Sequence, residues 1–211
     1  MMFFVTETWL NNTIYDSKIP HNYAIHRKDR SSRGGGILVA IRNDIPSVTT
    51  SKHQSIKLIS VELHLSPKIQ IVCIYIPPNC NDDYQQEVLR SINSLNTDCD
   101  TILVGDFNCP DINWSTLSAT TPFSISLCNE LFSKNFIQLV NEPTHRQGNT
   151  LDLILNNSPH RLQNVQVQSP GSSLQSDHFP ITILIISSPL RAHTTPASTV
   201  CPLNYALPPY W

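Results

Sequence analysis

At 211 residues the chain is long enough for one sizeable domain with a buried core and too short for two ordinary domains plus linkers. Its hydrophobic share of 40% is ordinary for a globular protein, but charged residues make up only 14% and there are 16 prolines, many near the C-terminus. A formal net charge of −2 excludes holding nucleic acid by overall electrostatic attraction, so any such contact has to be local. The chain opens on an apolar run, Met1 to Val5, that leads directly into Glu7 and Trp9 and reads as a core strand entered halfway. Next come His26, Arg27, Lys28, Arg30 and Arg33 ahead of three glycines, a flexible basic loop that either lies along a phosphate backbone or is simply solvated. Strands are expected at Gly36 to Arg42, Ile56 to Leu65 and Ile69 to Ile76, which are rich in β-branched residues and bounded by Pro, Gly and Asn. Val88, Leu89, Ile92 and Leu95 recur at helical spacing and predict a helix over residues 83–95, followed by a short apolar strand from Thr101 to Val104. A second helix is predicted over residues 124–132, and then strands at Ile137 to Val140, Leu151 to Leu155, Val165 to Val167 and Phe179 to Ile186. From residue 188 onward Pro, Ala, Thr and Ser dominate without periodicity, so residues 1–187 are expected to form the domain and 188–211 a linker or disordered tail.

Many strands with helices interspersed between strand groups suit an α/β sandwich, two packed mixed sheets flanked by helices, better than a doubly wound parallel sheet. No apolar run reaches the length of a membrane-spanning helix. The six cysteines form no CxxC pair and lack the density of a disulfide scaffold, so they read as reduced thiols of a nuclear or cytoplasmic protein.

Three segments offer chemistry. In Ile102 to Asn108 an apolar strand ends at Gly105, and Asp106 and Asn108 follow at the point where polar groups first meet solvent. Asp-x-Asn there forms either a metal or phosphate site or an ordinary turn. Ser176, Asp177 and His178 directly precede a strand, where a carboxylate can bind a cation and an imidazole can exchange a proton near neutrality. Asp152 interrupts the strand Leu151 to Leu155 and needs a partner; His178 is a candidate, since a carboxylate on one ring nitrogen raises the basicity of the other. Tyr75, before Pro77, Pro78 and Asn79, either reaches a phosphate oxygen or packs in the core, and Glu7 is a hard oxygen ligand of the kind magnesium accepts.

In order along the chain, Glu-Thr-Trp-Leu, Tyr-x-Pro-Pro-Asn, Gly-Asp-Phe-Asn, Thr-Leu-Asp-x-Ile and Ser-Asp-His resemble the endonuclease/exonuclease/phosphatase superfamily. The sharpest likeness is to the apurinic-endonuclease-like domain of LINE-type non-LTR retrotransposons, from residue 1 to about residue 187. The resemblance implies a DNase I-like four-layer sandwich without the family's usual first strand and helix, and Mg2+, or Mn2+, as cofactor. It implies metal binding by Glu7 and Asp177, phosphate contact by Tyr75, and water positioning and charge stabilisation by Asp106 and Asn108. His178, oriented by Asp152, would serve as acid or base, and Arg27, Lys28, Arg30 and Arg33 would meet DNA. Relatives are fused to a reverse transcriptase. The implied activity is DNA nicking; the alternatives are an inactive remnant that binds nucleic acid, or the same fold acting on another phosphoester.

Overall fold

The computed structural model describes residues 1–16, 21–30, 35–168, 176–185 and 199–201. Of the expected features, Arg33 and most of the segment from residue 188 lie outside the described residues. One sheet contains β1 (Met2–Thr6), β2 (Tyr23–Lys28), β3 (Ile37–Arg42), β10 (Leu162–Val167), β11 (Ile181–Ile185) and β12 (Thr199–Cys201). Their order across it is β10-β11-β12-β1-β3-β2. The second sheet contains β4 (Ser47–Lys52), β5 (Lys57–Leu63), β6 (Ile69–Tyr75), β7 (Asp100–Asp106), β8 (Ile137–Gln138) and β9 (Asp152–Asn156), in the order β4-β5-β6-β7-β9-β8. β1 runs parallel to β12 and β6 parallel to β7; the remaining pairs are antiparallel, so both sheets are mixed.

The sheets pack face to face through Met2, Phe4, Val39 and Ile183 of the first and Ile59, Ile71, Cys73, Val104 and Ile154 of the second. The alternation of buried and half-buried positions in β1 follows from the period of two along a strand. β6 and β7, by contrast, are buried almost throughout, because the outer face of the second sheet is also covered. That cover comes from α1 (Asp82–Asn93) and α2 (Pro122–Ser133), whose Val88, Ile92, Leu127 and Leu131 pack on Val72, Leu103 and Leu153. Asn81 caps α1 by accepting from the Tyr84 amide at 2.9 Å, and Thr121 caps α2 ahead of Pro122 at the first helical position.

The two described α-helices thus share one side. On the outer face of the first sheet Leu38 and Ala40 are covered by Leu10 and Ile14 from the segment after β1, so among the described residues the layers are sheet, sheet and helices. Two expectations change. The basic run is not a loop at His26 to Lys28, which belong to edge strand β2, and the segment expected to be linker contributes Thr199–Cys201 as β12 between β1 and β11.

Candidate active site

Strand register assembles the site. Across the second sheet Tyr75 pairs with Asp106, and Asp106 with Asp152, so three residues from β6, β7 and β9 stand in one lateral row at the sheet's end. Gly105 permits the close approach of β6 and β7, since a Cβ there would fall 1.7 Å from the Ile74 carbonyl oxygen, at a φ of +148°. From the opposite sheet, Glu7 follows β1 and reaches over the inter-sheet rim, where its carboxylate accepts from the Tyr75 hydroxyl. His178, just before β11, donates from Nδ1 to Asp152 Oδ2 over 2.7 Å, the pairing anticipated between them.

Thr6, Glu7, Asn79, Asp106, Asn108, His145, Asp177 and His178 are among the residues that line a cavity of about 540 Å3. Glu7, Asn79 and Asn108 hold φ values of 50°, 56° and 46°. Such left-handed backbone costs on the order of 1 kcal/mol or more per residue, and its concentration on one cavity wall is the pattern of a functional site. The Asn108 backbone N–H and side-chain amide donate to the two Asp106 oxygens at 3.0 and 2.8 Å, and the amide also donates to the Ile76 carbonyl at 2.9 Å. Asn108 therefore aims the Asp106 carboxylate.

Burial and mutual repulsion dominate the electrostatics. Asp106 is only 2% exposed; that burial and the neighbouring Asp152 push its carboxyl well above the usual range, against the opposing pull of His178. Burial alone would lower the His178 pKa, but the Asp152 hydrogen bond and the surrounding carboxylates raise it to about 9. Burial and then the Glu7 hydrogen bond push the Tyr75 phenol upward, so it remains a donor.

His145 was not singled out by sequence reasoning. Its Nε2 lies 3.1 Å from Asp177 Oδ2, its ring meets that of His178 edge-on with centroids 5.0 Å apart, and the two histidines form an isolated β-bridge. The Gln147 amide donates to His145 Nδ1 at 3.2 Å, so the neutral ring carries its proton on Nε2 and donates to Asp177. Against burial, that bond holds the Asp177 carboxyl below its ordinary value. Among the described residues, donor atoms cluster within 4.8 Å in two groups, Asp106 with Asp152 and His178, and His145 with Asp177 and His178; Glu7 belongs to neither, though it lines the same cavity. Two buried carboxylates facing one imidazole leave negative charge among hard oxygen donors, which fits a divalent cation.

The expected basic residues disperse. Arg27 is bound within the chain, to Asp16 at 3.0 Å, Asp29 at 3.2 Å and the Ile14 carbonyl at 2.6 Å. Lys28 donates to the Gln54 carbonyl at 3.1 Å, and the Arg30 guanidinium lies over the Trp9 ring, 5.4 Å from its centre.

This two-sheet architecture, with its polar site at one rim, recurs in solved structures. It is shared with the endonuclease domain of TRAS1, a telomere-specific non-LTR retrotransposon, at 12% identity and a TM-score of 0.64 over 88% of this chain and 98% of that one. An AP endonuclease from Archaeoglobus fulgidus matches at 15% identity and a TM-score of 0.62, over 87% of this chain and 88% of its own. A 3'-5' exonuclease from Neisseria meningitidis matches at 14% and 0.65, with the same coverages of 87% and 88%. At such identities the likeness shows the fold, that of the endonuclease/exonuclease/phosphatase superfamily. Residues 69–182, more than half of the chain, match the family described as endonuclease-reverse transcriptase, and the chain belongs to it. No curated protein matches the chain.

Proposed function

We propose that the protein hydrolyses phosphodiester bonds with the help of Mg2+, as a DNA-nicking endonuclease of non-LTR retrotransposon origin. The observation that carries the proposal is the meeting of Glu7, Asp106, Asn108 and His178 around one cavity, with Tyr75 and Asp152 buried behind it and bonded to Glu7 and His178, so that five strands or their flanks in two sheets contribute. Structural cores do not bury two carboxylates side by side, because each raises the cost of ionising the other.

Glu7, Asp106 and Asp152 are the residues that would hold the cation, with Asp177 at the exposed end of the cavity. When bound, the cation supplies charge neutralisation at the phosphate and lowers the cost of the clustered carboxylates. Asp106, aimed by Asn108 through bonds to both its oxygens, accepts the proton of the attacking water. His178 is charged at neutral pH, so its free Nε2–H donates to a phosphate oxygen while Asp152 holds Nδ1. Between the two roles open to the pair, this distribution favours Asp106 as base and His178 as acid or electrostatic donor. Tyr75, with its proton retained, keeps Glu7 in place.

The test is nicking of supercoiled plasmid with Mg2+ or with chelator, for the parent protein and for Asp106→Ala and His178→Ala. Each substitution is expected to lower the rate at least about 100-fold, the usual cost of one preorganised catalytic group. Equal nicking by all three proteins, or nicking indifferent to chelation, excludes the assignment.

A further inference from the structure

The lateral row that forms the site does not stop at Tyr75. In the same register Tyr75 pairs with Lys57 on β5, so the row across the second sheet reads Asp152, Asp106, Tyr75, Lys57. The first sheet carries a matching row at the same rim: Thr6 pairs with Ile37, and Ile37 with Lys28. Thr6 lines the cavity, and Lys28 stands two strands away from it toward the sheet edge. β2 and the start of β5 are also in contact across the rim, and Lys28 lies within electrostatic reach of both Lys57 and the exposed Lys52 at the end of β4. Burial and then these two ammonium groups lower the Lys28 pKa, the mark of like charges gathered at one rim, which an added anion would relieve.

A stacking surface adjoins the lysines. Trp9 is 47% exposed although its backbone is held in the left-handed region, at a φ of 55°, by its N–H donating to the Gly35 carbonyl at 3.0 Å. Arg30 covers part of its ring, and the Arg30 N–H donates to the Leu10 carbonyl at 3.1 Å, which ties the pair to the segment after Glu7. Gly35 joins this platform to the row, since the position of its absent Cβ is 3.5 Å from Tyr75 Cε1 and 3.8 Å from Lys57 Cε. The Lys57 ammonium donates to the Asp29 carbonyl oxygen at 2.8 Å and feels the attraction of the Asp29 carboxylate, and that of Lys28 donates to the Gln54 carbonyl oxygen, so both are held at the rim. Asp29 and Asp16, the acidic groups close by, are engaged by Arg27.

We infer that this rim is a second substrate-binding surface, on which an unstacked base next to the scissile phosphodiester lies on the Trp9–Arg30 platform while the adjoining DNA phosphates sit on Lys57, Lys28 and Lys52. The inference rests on the phosphodiesterase reading of the cavity and adds to it the substrate form: a DNA strand with an unpaired or frayed base, in preference to uniformly paired duplex. A π-surface beside paired ammonium groups is the arrangement that binds single-stranded backbone without reading sequence. It also explains how a chain without net positive charge holds a polyanion.

Binding without turnover tests the surface apart from the chemistry. Fluorescent single-stranded DNA carrying 2-aminopurine, and the same strand fully paired, are titrated in chelator into the parent protein, Trp9→Ala, Trp9→Phe, Lys57→Gln and Lys28→Gln. Lys68→Glu, at the far end of β6 from Tyr75, is the control. Trp9→Ala is expected to weaken single-strand binding on the order of tenfold or more and to abolish 2-aminopurine quenching, with Trp9→Phe restoring most of both. Each lysine substitution is expected to lower the slope of log affinity against log salt by about 0.7 on the single strand, with Lys68→Glu leaving it unchanged. Equal affinity for paired and unpaired DNA, or Trp9→Ala binding like the parent, overturns the inference. Hydrolysis of the small diester bis(p-nitrophenyl) phosphate is assayed in parallel. If it persists while the DNA arms fail, the surface is wrong and the site reading stands; if it fails while the DNA arms succeed, the reverse holds.

Discussion

Single residues decide which proton moves. His178 carries an elevated pKa of about 9, because its hydrogen bond to Asp152 and the nearby carboxylates outweigh its desolvation. A group whose folded pKa exceeds its unfolded value near 6.5 contributes stability in full below that value and loses it as pH rises through about 9. The same titration removes the donor proposed for the phosphate. Cleavage is therefore expected to fall as pH rises through about 9, and the His178 ring resonances in NMR are expected to titrate there in the parent protein and nearer 6.5 in Asp152→Asn. A His178 that titrates near 6.5 in both proteins would return it to the role of a neutral base. His145 shows why local reading missed part of the cavity wall. It sits 32 positions from Asp177 with no motif around it, and only the bridge between its segment and that of His178 brings the two together.

At the level of elements, the legible parts are those whose period or composition reflects burial on both faces. β6, β7 and β9 read as apolar runs because sheets cover one side and helices or the second sheet the other. The edge strands β2 and β4, with the sequences YAIHRK and SVTTSK, carry the charge and hydroxyls of solvent-facing edges, which is also the composition of loops. Their backbone pairing with β3 and β5 makes them strands, and hydrogen bonds between His26 and the Thr49 and Ser47 hydroxyls, at 2.8 and 2.9 Å, link the two edges. Gly105 carries the element-level prediction. Gly105→Ala has to part β6 from β7, because its Cβ would collide with the Ile74 backbone, and it is expected to cost about 3 kcal/mol or more, near 10 °C in Tm. Thermal denaturation measures it; a loss below about 1 kcal/mol would show that the two strands can separate cheaply at the site.

Across the whole molecule, the first sheet is continuous only through β12, which stands between β1 and β11 and pairs with both. Deleting residues 199–211 leaves two apolar strand edges unpaired, so the shortened chain is expected to melt lower and to aggregate on heating, as light scattering would record. An unchanged melting temperature would show that β12 adds nothing to the fold. The amino-acid sequence by itself determined the type of fold, most of the interior strands, both helices and the residue kinds the site needs, because apolar periodicity and five short ordered motifs are local properties of the chain. Only the tertiary structure decided which of those residues meet. Strand register between segments far apart in sequence lines up Asp152, Asp106, Tyr75 and Lys57, sets His178 against Asp152, and turns Arg27 back onto the chain while leaving Trp9 open. Register depends on how whole strands pair and pack, and no single segment contains that information.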